Sequence, residues 1–215
     1  MSDWSDSHEE REVIVTPRDK QRVGLGGMPR HEKGRDNDAP PKRPVLWNVQ
    51  PVEDFAPPPV WGMFPRGFID LAIQHLGFAP SEVLHVCSGG LSRRDVRGGT
   101  RVDISRTSRP DVVADGRSLP FPDRSFSGVL IDPPYSVEYA GGLYACDYPR
   151  PSALLREASR VLRPCGRAGF VHYLVPSPTA DLFILRIIAL TVGCGYRIRA
   201  FTIFEKAQQS LGGVP

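Results

Sequence analysis

Short apolar runs and longer segments of helical period alternate along this chain. The short runs predict strands at 83–86, 101–104, 111–115, 128–131 and 169–175. The run Val129–Ile131 is continuous rather than alternating, which is typical of a strand covered by helices on both faces. By contrast, Tyr196–Lys206 alternates between apolar and polar positions and predicts a strand nearer the sheet edge.

Three segments have the spacing of helices. Pro65–Leu76 begins with a first-turn proline and ends at Gly77. Pro151–Arg163 places its leucines on one face and is stopped by the Pro164–Gly166 segment. Asp181–Val192 is apolar nearly all round, which predicts a deeply buried helix. Strands alternating with helices predict an α/β fold, a Rossmann-like doubly wound and mostly parallel sheet with abbreviated helices.

Two segments lack a clear period. Residues 1–44 are rich in charge, Gly and Pro, and we expect a disordered or flexible tail there, or an arm that orders on nucleic acid. Residues 45–215 then form one domain. Ser136–Arg150 is rich in glycine and tyrosine, which suits either a mobile lid or an exposed connection. His172, inside a predicted strand, is expected to be a packed core histidine.

Composition bears on the number of domains, on metal binding and on the cellular compartment of the protein. A chain of 215 residues with a net charge of +3 suits a single domain, and its overall charge does not argue for or against nucleic acid. The four cysteines form no Cys-x-x-Cys pair, so we expect no metal site and a reduced, cytoplasmic protein. We expect no signal peptide, because residues 1–12 are acidic and lack an apolar core, and the longest apolar run, Leu182–Val192, contains Arg186 and is too short to span a bilayer.

The strongest chemical pattern is Asp132-Pro133-Pro134-Tyr135, directly after the continuous apolar run. Proline cannot continue a strand ladder, so the strand must stop at Asp132. Ligands of open α/β sheets bind at that carboxyl end. The sequence therefore places a carboxylate, backbone carbonyls and an aromatic ring at the mouth of a cleft.

The neighbouring predicted strands end in residues that suit a nucleoside. The turn Cys87–Gly90 is small enough for close backbone approach to a ligand. Asp103 and Asp115 follow the next two strands. We expect Asp103 to hold ribose hydroxyls, and Asp115 to hold an adenine amino group or a neighbouring backbone group.

With these motifs the chain resembles the class I S-adenosylmethionine-dependent methyltransferases over about residues 82–206. Within that class it is similar to the amino-methyltransferases that carry Asp-Pro-Pro-Tyr, and Leu119–Phe126 matches the link that they place before this strand. The resemblance implies S-adenosylmethionine as cofactor and a nucleic acid as partner, DNA before RNA. The first motif departs from the family, because His85 stands where an acid is usual and the glycine spacing is compressed.

The resemblance also assigns residue roles. The implied catalytic residues are Asp132, Pro133, Pro134 and Tyr135. The implied cofactor-binding residues are Phe64, His85, Cys87, Ser88, Gly89, Gly90, Asp103, Ile104, Asp115 and Gly116. No separate target-recognition domain is visible, so a partner chain or a further copy could supply that surface.

An exocyclic amine of a base is a poor nucleophile, because its lone pair delocalises into the ring. Hydrogen bonds to the Asp132 carboxylate and the Pro133 carbonyl would localise that pair, and Asp132 could accept the proton that is shed. Tyr135 would stack on the base. The sequence leaves two alternatives open: a methyltransferase acting on a small molecule or a protein amine, and a non-catalytic nucleic-acid-binding module that retains the fold.

Overall fold

The computed structural model describes residues 13–14, 46–51, 64, 67–191 and 198–208. Within these residues nine strands form one sheet in the order β1-β2-β8-β9-β7-β6-β3-β4-β5. The strands are β1 (Val13–Ile14), β2 (Leu46–Pro51), β3 (Val83–Val86), β4 (Thr100–Asp103), β5 (Val112–Val113), β6 (Phe126–Ile131), β7 (Leu162–His172), β8 (Leu182–Thr191) and β9 (Arg199–Lys206). The helices are α1 (Phe68–Leu76), α2 (Arg93–Val96), α3 (Val137–Tyr144) and α4 (Pro151–Val161), with 3₁₀ turns at Pro80–Glu82 and Arg106–Ser108.

The pairing confirms the predicted doubly wound, mostly parallel sheet. Strands β5, β4, β3, β6 and β7 are parallel neighbours, and β2 pairs in parallel with β8. Strand β9 is antiparallel to both β7 and β8 and lies between them. The prediction that this strand lies nearer the edge is therefore wrong, because β9 is interior and residues 200–204 are buried without a break.

Each face of the sheet carries its own hydrophobic core. On one face, α1 buries Phe68, Ala72 and Leu76 against β3, β6, β7, β8 and β9. On the other face, α4 packs against the opposite side chains of β3, β6, β7 and β9. Gly77 ends α1 in the left-handed conformation, as its sequence position predicts.

The segment predicted as a helix over Asp181–Val192 is instead strand β8, so that prediction is wrong. A strand flanked by β2 and β9 is interior and needs apolar side chains on both faces, and this gives the same composition as a buried helix. The β-branched residues Ile184, Ile187 and Ile188 favour the strand. Residues 173–181, all of them described, connect β7 to β8 without a helix.

Two other boundaries differ from those predicted. Helix α4 ends at Val161, and β7 begins at the next residue, so the Pro164–Gly166 segment lies in the strand rather than ending the helix. The segment Ser136–Arg150 contains α3, capped by the Ser136 side chain, which accepts from the Tyr139 N–H. The loop predicted there is thus partly helical.

Some predictions fall on residues that the structure does not describe. The tail predicted for residues 1–44 lies outside the described residues except for β1, whose Val13 and Ile14 pair with β2. The first-turn role of Pro65 also lies outside them. No helix among the residues described has the length and apolar character needed to cross a bilayer.

Candidate active site

A cavity of about 1000 Å³ opens where the strand order reverses, at the carboxyl ends of β3 and β6. This volume is large for a ligand pocket and leaves room for two planar groups. Turns after β3, β4, β5 and β6 form its floor, and the segment from α3 to Pro149 forms one wall. Its lining includes Cys87, Gly89, Gly90, Asp103, Ile104, Asp115, Gly116, Asp132, Pro133, Pro134 and Tyr135.

The turn after β3 is tied to the acid at the end of β4. Cys87 has a left-handed backbone (φ 55°), which is strained for a residue with a side chain and tightens the turn. The Gly89 N–H then donates to Asp103 Oδ2 at 2.8 Å, and the Ser105 N–H donates to Asp103 Oδ1 at 2.8 Å. Two backbone donors thus hold the Asp103 carboxylate in a fixed orientation at the cavity wall.

In the turn after β5, the Asp115 carboxylate is already engaged by Arg117. Asp115 accepts from the Arg117 N–H at 2.8 Å and forms an ion pair with the Arg117 guanidinium at 2.6 Å. The Arg117 hydrogen bonds hold the pKa of Asp115 below its usual range. A Cβ at Gly116 would lie 2.6 Å from Val86 Cγ1, so this position requires glycine. Asp115 thus already accepts from a neighbouring backbone group, and its bond to an adenine amino group stays a prediction.

The link before β6 is held by helix α4. Arg160 donates to the carbonyl oxygens of Leu119 and Phe121, and Glu157 accepts from the Leu119 N–H at 2.7 Å. The Arg160 guanidinium also forms an ion pair with Glu157 at 2.6 Å. Because α4 is anchored in the core, this network fixes the segment that leads into β6 and the turn after it.

Asp132 directly follows β6, as predicted, and lies at the cavity wall. The Tyr135 hydroxyl donates to its Oδ1 at 2.7 Å. Burial raises the pKa of Asp132 to about 6, although the Tyr135 hydrogen bond and the Arg199 charge oppose this rise. The carboxyl group is therefore mostly ionised at neutral pH and can take up a proton within the physiological range.

The Tyr135 ring is already surrounded by protein. Its centroid is 4.6 Å from that of Tyr173 and 5.3 Å from that of His172, which meets it edge-on. The Arg199 guanidinium lies over the ring, 5.4 Å from the centroid. His172 itself is buried and its Nδ1 accepts from the Leu174 N–H, which matches its predicted place as a packed histidine.

Three predicted residues are not among those that line the cavity. Phe64 stacks on Phe68 at 5.2 Å and belongs to the core beneath α1. His85 is buried within the sheet, and burial lowers its pKa to about 4, so it is a neutral core residue. The Ser88 side chain is buried beside the turn, and its Oγ has no partner among the described residues.

Several lining residues were not predicted individually. They include Ser105, Thr107, Arg117, Tyr139, Leu143, Tyr144, Cys146, Asp147, Tyr173 and Arg199. Those of the α3 segment come from the stretch predicted as a lid or an exposed connection. Tyr173 follows β7, which pairs directly with β6, whereas Arg199 begins β9 and reaches the site because β9 pairs with β7.

The described side chains that line the cavity include more acidic than basic groups. Among the described residues that line the cavity, the carboxylates are Asp103, Asp115, Asp132 and Asp147, and the guanidinium groups are those of Arg117 and Arg199. Arg117 is already paired with Asp115. The interior therefore favours a ligand with positive charge and disfavours phosphate.

Similarity of this chain to known proteins is found at the level of the fold. No model of a protein family matches the sequence, and no curated protein shows significant similarity to it. Solved structures with a similar shape include TrmN from Thermus thermophilus (19% identity, TM-score 0.47), with 64% of this chain aligned to 48% of that one. The chain thus spans about half the length of TrmN.

Two other similar structures are covered more fully. One is 1,6-didemethyltoxoflavin-N1-methyltransferase from Burkholderia thailandensis, with S-adenosylhomocysteine bound (15% identity, TM-score 0.45, 66% of this chain and 78% of that one). The other is the putative methyltransferase yhhF from Escherichia coli (12% identity, TM-score 0.47, 70% and 92%). Since these TM-scores are below 0.5, the likeness is one of general shape and carries no information on the substrate.

Proposed function

We propose that this protein transfers a methyl group from S-adenosylmethionine to an exocyclic amino group of a nucleic-acid base, with DNA adenine or cytosine as the first candidates. The observation that carries the proposal is the position of the Asp132 carboxylate. It lies at the wall of a cavity that also presents a fixed acid, Asp103, and the glycine turn.

The residues at the ends of β3 and β4 fit a nucleoside with a positively charged tail. Each Asp103 oxygen accepts one backbone N–H and keeps lone pairs for ribose hydroxyls. The excess of carboxylates at the cavity wall suits a sulfonium. When bound, S-adenosylmethionine supplies an electrophilic methyl group.

Asp132 is suited to receive an amine. With Oδ1 accepting from Tyr135, the carboxylate can take an amino hydrogen on Oδ2, and the backbone carbonyl of Pro133 is the second acceptor. Both bonds localise the nitrogen lone pair. The pKa of about 6 lets Asp132 accept a proton as the amine becomes cationic and release it to water at pH 7–8.

A base enters such a site without its phosphates. The acidic lining repels a phosphate, whereas a neutral planar ring meets Pro134 and the tyrosines of α3. A base in a duplex must be flipped out to reach Asp132, at a cost of a few kcal/mol. Tyr135 contributes mainly through its hydroxyl, since its ring contacts Tyr173 and Arg199.

The test is methyl transfer by the full-length chain to unmethylated DNA and, separately, to RNA, followed by digestion and mass spectrometry of the nucleosides. We expect a new methylated adenine or cytosine nucleoside from DNA. Asp132→Ala should abolish it while calorimetry still detects cofactor binding. Asp70→Asn, which removes an exposed carboxylate on α1, is the matched control and should retain activity.

Two results would contradict the proposal at different levels. Absence of binding heat with S-adenosylmethionine would refute the cofactor. Cofactor binding without a methylated nucleoside from either nucleic acid would refute the base as substrate and direct the search to small amines. Full activity of Asp132→Ala would remove its catalytic role.

A further inference from the structure

Arg199 is the first residue of β9 and extends into the cavity from the face that carries α1. Phe201 and Ile203, at alternate positions of the same strand, pack in the core cluster that includes Tyr135. Arg199 is therefore on the side of the sheet where the Tyr135 ring lies. Its guanidinium is 5.4 Å from that ring centroid.

Unlike the other arginine of the cavity, Arg199 has no carboxylate that pairs with it in the described parts of the chain. Arg117 forms an ion pair with Asp115 at 2.6 Å. Arg199 forms no ion pair with any carboxylate among the described parts of the chain. A guanidinium without a carboxylate partner, held over an aromatic face in a partly enclosed cavity, acts on the charges around it more strongly than a surface arginine.

Arg199, Tyr135 and Asp132 form a continuous sequence of contacts. The cation lies over the ring, and the hydroxyl of that ring donates to the carboxylate at 2.7 Å. Tyr173 and His172 hold the ring from other directions. The orientation of the Asp132 carboxylate thus depends on a ring that Arg199 helps to fix.

We propose that Arg199 is a positioning residue for methyl transfer: lying over Tyr135, it fixes the hydroxyl that orients Asp132 and supplies the positive charge that keeps this carboxylate ready to accept an amine. The proposal rests on the function proposed above. The effect of the charge has the expected sign, since Arg199 lowers the pKa of Asp132 against the rise caused by burial.

Other titratable groups also face Asp132. They are the Tyr135 hydroxyl on its own turn, the Cys87 thiol at the end of β3 and the Tyr144 hydroxyl on α3. Burial raises the pKa of each of these three groups, so they stay neutral at pH 5–8. Arg199 is therefore the charged group expected to set how Asp132 titrates in that range.

The first experiment follows Asp132 without any substrate. The full-length protein is labelled with ¹³C at the aspartate side-chain carboxyl and titrated by NMR, and the Asp132 signal is identified by its loss in Asp132→Asn. We expect Arg199→Met to raise the Asp132 midpoint by about one pH unit, a tenfold gain in proton affinity. Arg199→Lys, which keeps the charge, should leave the midpoint close to that of the unmodified protein.

Arg156→Met is the matched control, because Arg156 is exposed on α4 and does not act on Asp132. It should leave the titration unchanged. If Arg199→Met does not fold, Arg199→Gln replaces it with the same expected shift. An Asp132 midpoint that does not move in the charge-removing variant overturns the proposal.

The second experiment measures methyl transfer at pH 8, where Asp132 is ionised in every variant. Loss of the planar group in Arg199→Lys should lower kcat about tenfold with cofactor affinity unchanged, since only orientation has changed. Unchanged kcat in both Arg199→Lys and Arg199→Met overturns the positioning role. A shifted titration with no methyl transfer by the unmodified protein refutes the proposed function instead.

Discussion

Replacing Asp132 by Asn should stabilise the protein while it abolishes methyl transfer. The pKa of Asp132 is raised from 3.8 to about 6, so the folded protein binds a proton more tightly there than the unfolded chain does. By linkage, stability contributed by this group falls as pH rises from about 4 to about 6. At pH 8 the ionised Asp132 therefore destabilises the fold.

The magnitude follows from the difference of about two in pKa, which corresponds to about 3 kcal/mol. Because Asp132 lines a cavity that opens to solvent, screening reduces this value, and we expect Asp132→Asn to gain about 1–3 kcal/mol at pH 8. The Tyr135 hydroxyl can still donate to the amide oxygen. The gain should disappear below pH 4, where Asp132 is protonated in both states.

The assay is urea unfolding of the unmodified protein and of Asp132→Asn at pH 8, 6 and 4, with the difference in unfolding free energy taken at each pH. Effects of other titrating groups cancel in that difference. Asp181→Asn tests specificity, because hydrogen bonds to Ser159 and Thr179 hold the pKa of Asp181 below its usual value. That variant should lose stability at pH 8. A loss of the same size at all three pH values in Asp132→Asn would refute the reasoning.

Three further changes test the structure around the site. Lys206→Met should lower the unfolding free energy by about 1–3 kcal/mol in urea titrations, because the buried Nζ donates to two carbonyl oxygens at the end of α4. Gly116→Ala should weaken cofactor binding in calorimetry and cost about 1–3 kcal/mol, since its Cβ would lie 2.6 Å from Val86 Cγ1. Gly141→Ala should stabilise α3 by up to about 1 kcal/mol, seen as slower amide exchange, because no atom lies within 4 Å of the added Cβ.

The positions at strand ends were the most predictable part of the site. A continuous apolar run followed by two prolines has few structural solutions, so the end of β6 and the place of Asp132 follow from local chemistry. Asp103 was predictable for the same reason, as an acid that ends a short strand. These features depend on neighbours in the sequence and need no knowledge of the distant chain.

The features that sequence reasoning missed depend on which strands become neighbours. Whether Leu182–Thr191 is a helix or an interior strand is decided by the flanking strands, which its own composition does not reveal. Arg199 reaches the cavity only because β9 inserts beside β7. His85 shows the same limit, since its motif predicted a ligand contact and its strand turns the side chain into the core.

The insertion of β9 between β7 and β8 also has a consequence for synthesis on the ribosome. β7 and β8 are one strand apart, about 10 Å, and cannot pair with each other in the native order. A nascent chain that has emerged only as far as β8 therefore exposes the unpaired edge of β7 and lacks Arg199. Association of that edge with another chain competes with the arrival of β9, so aggregation is favoured in the interval before β9 emerges.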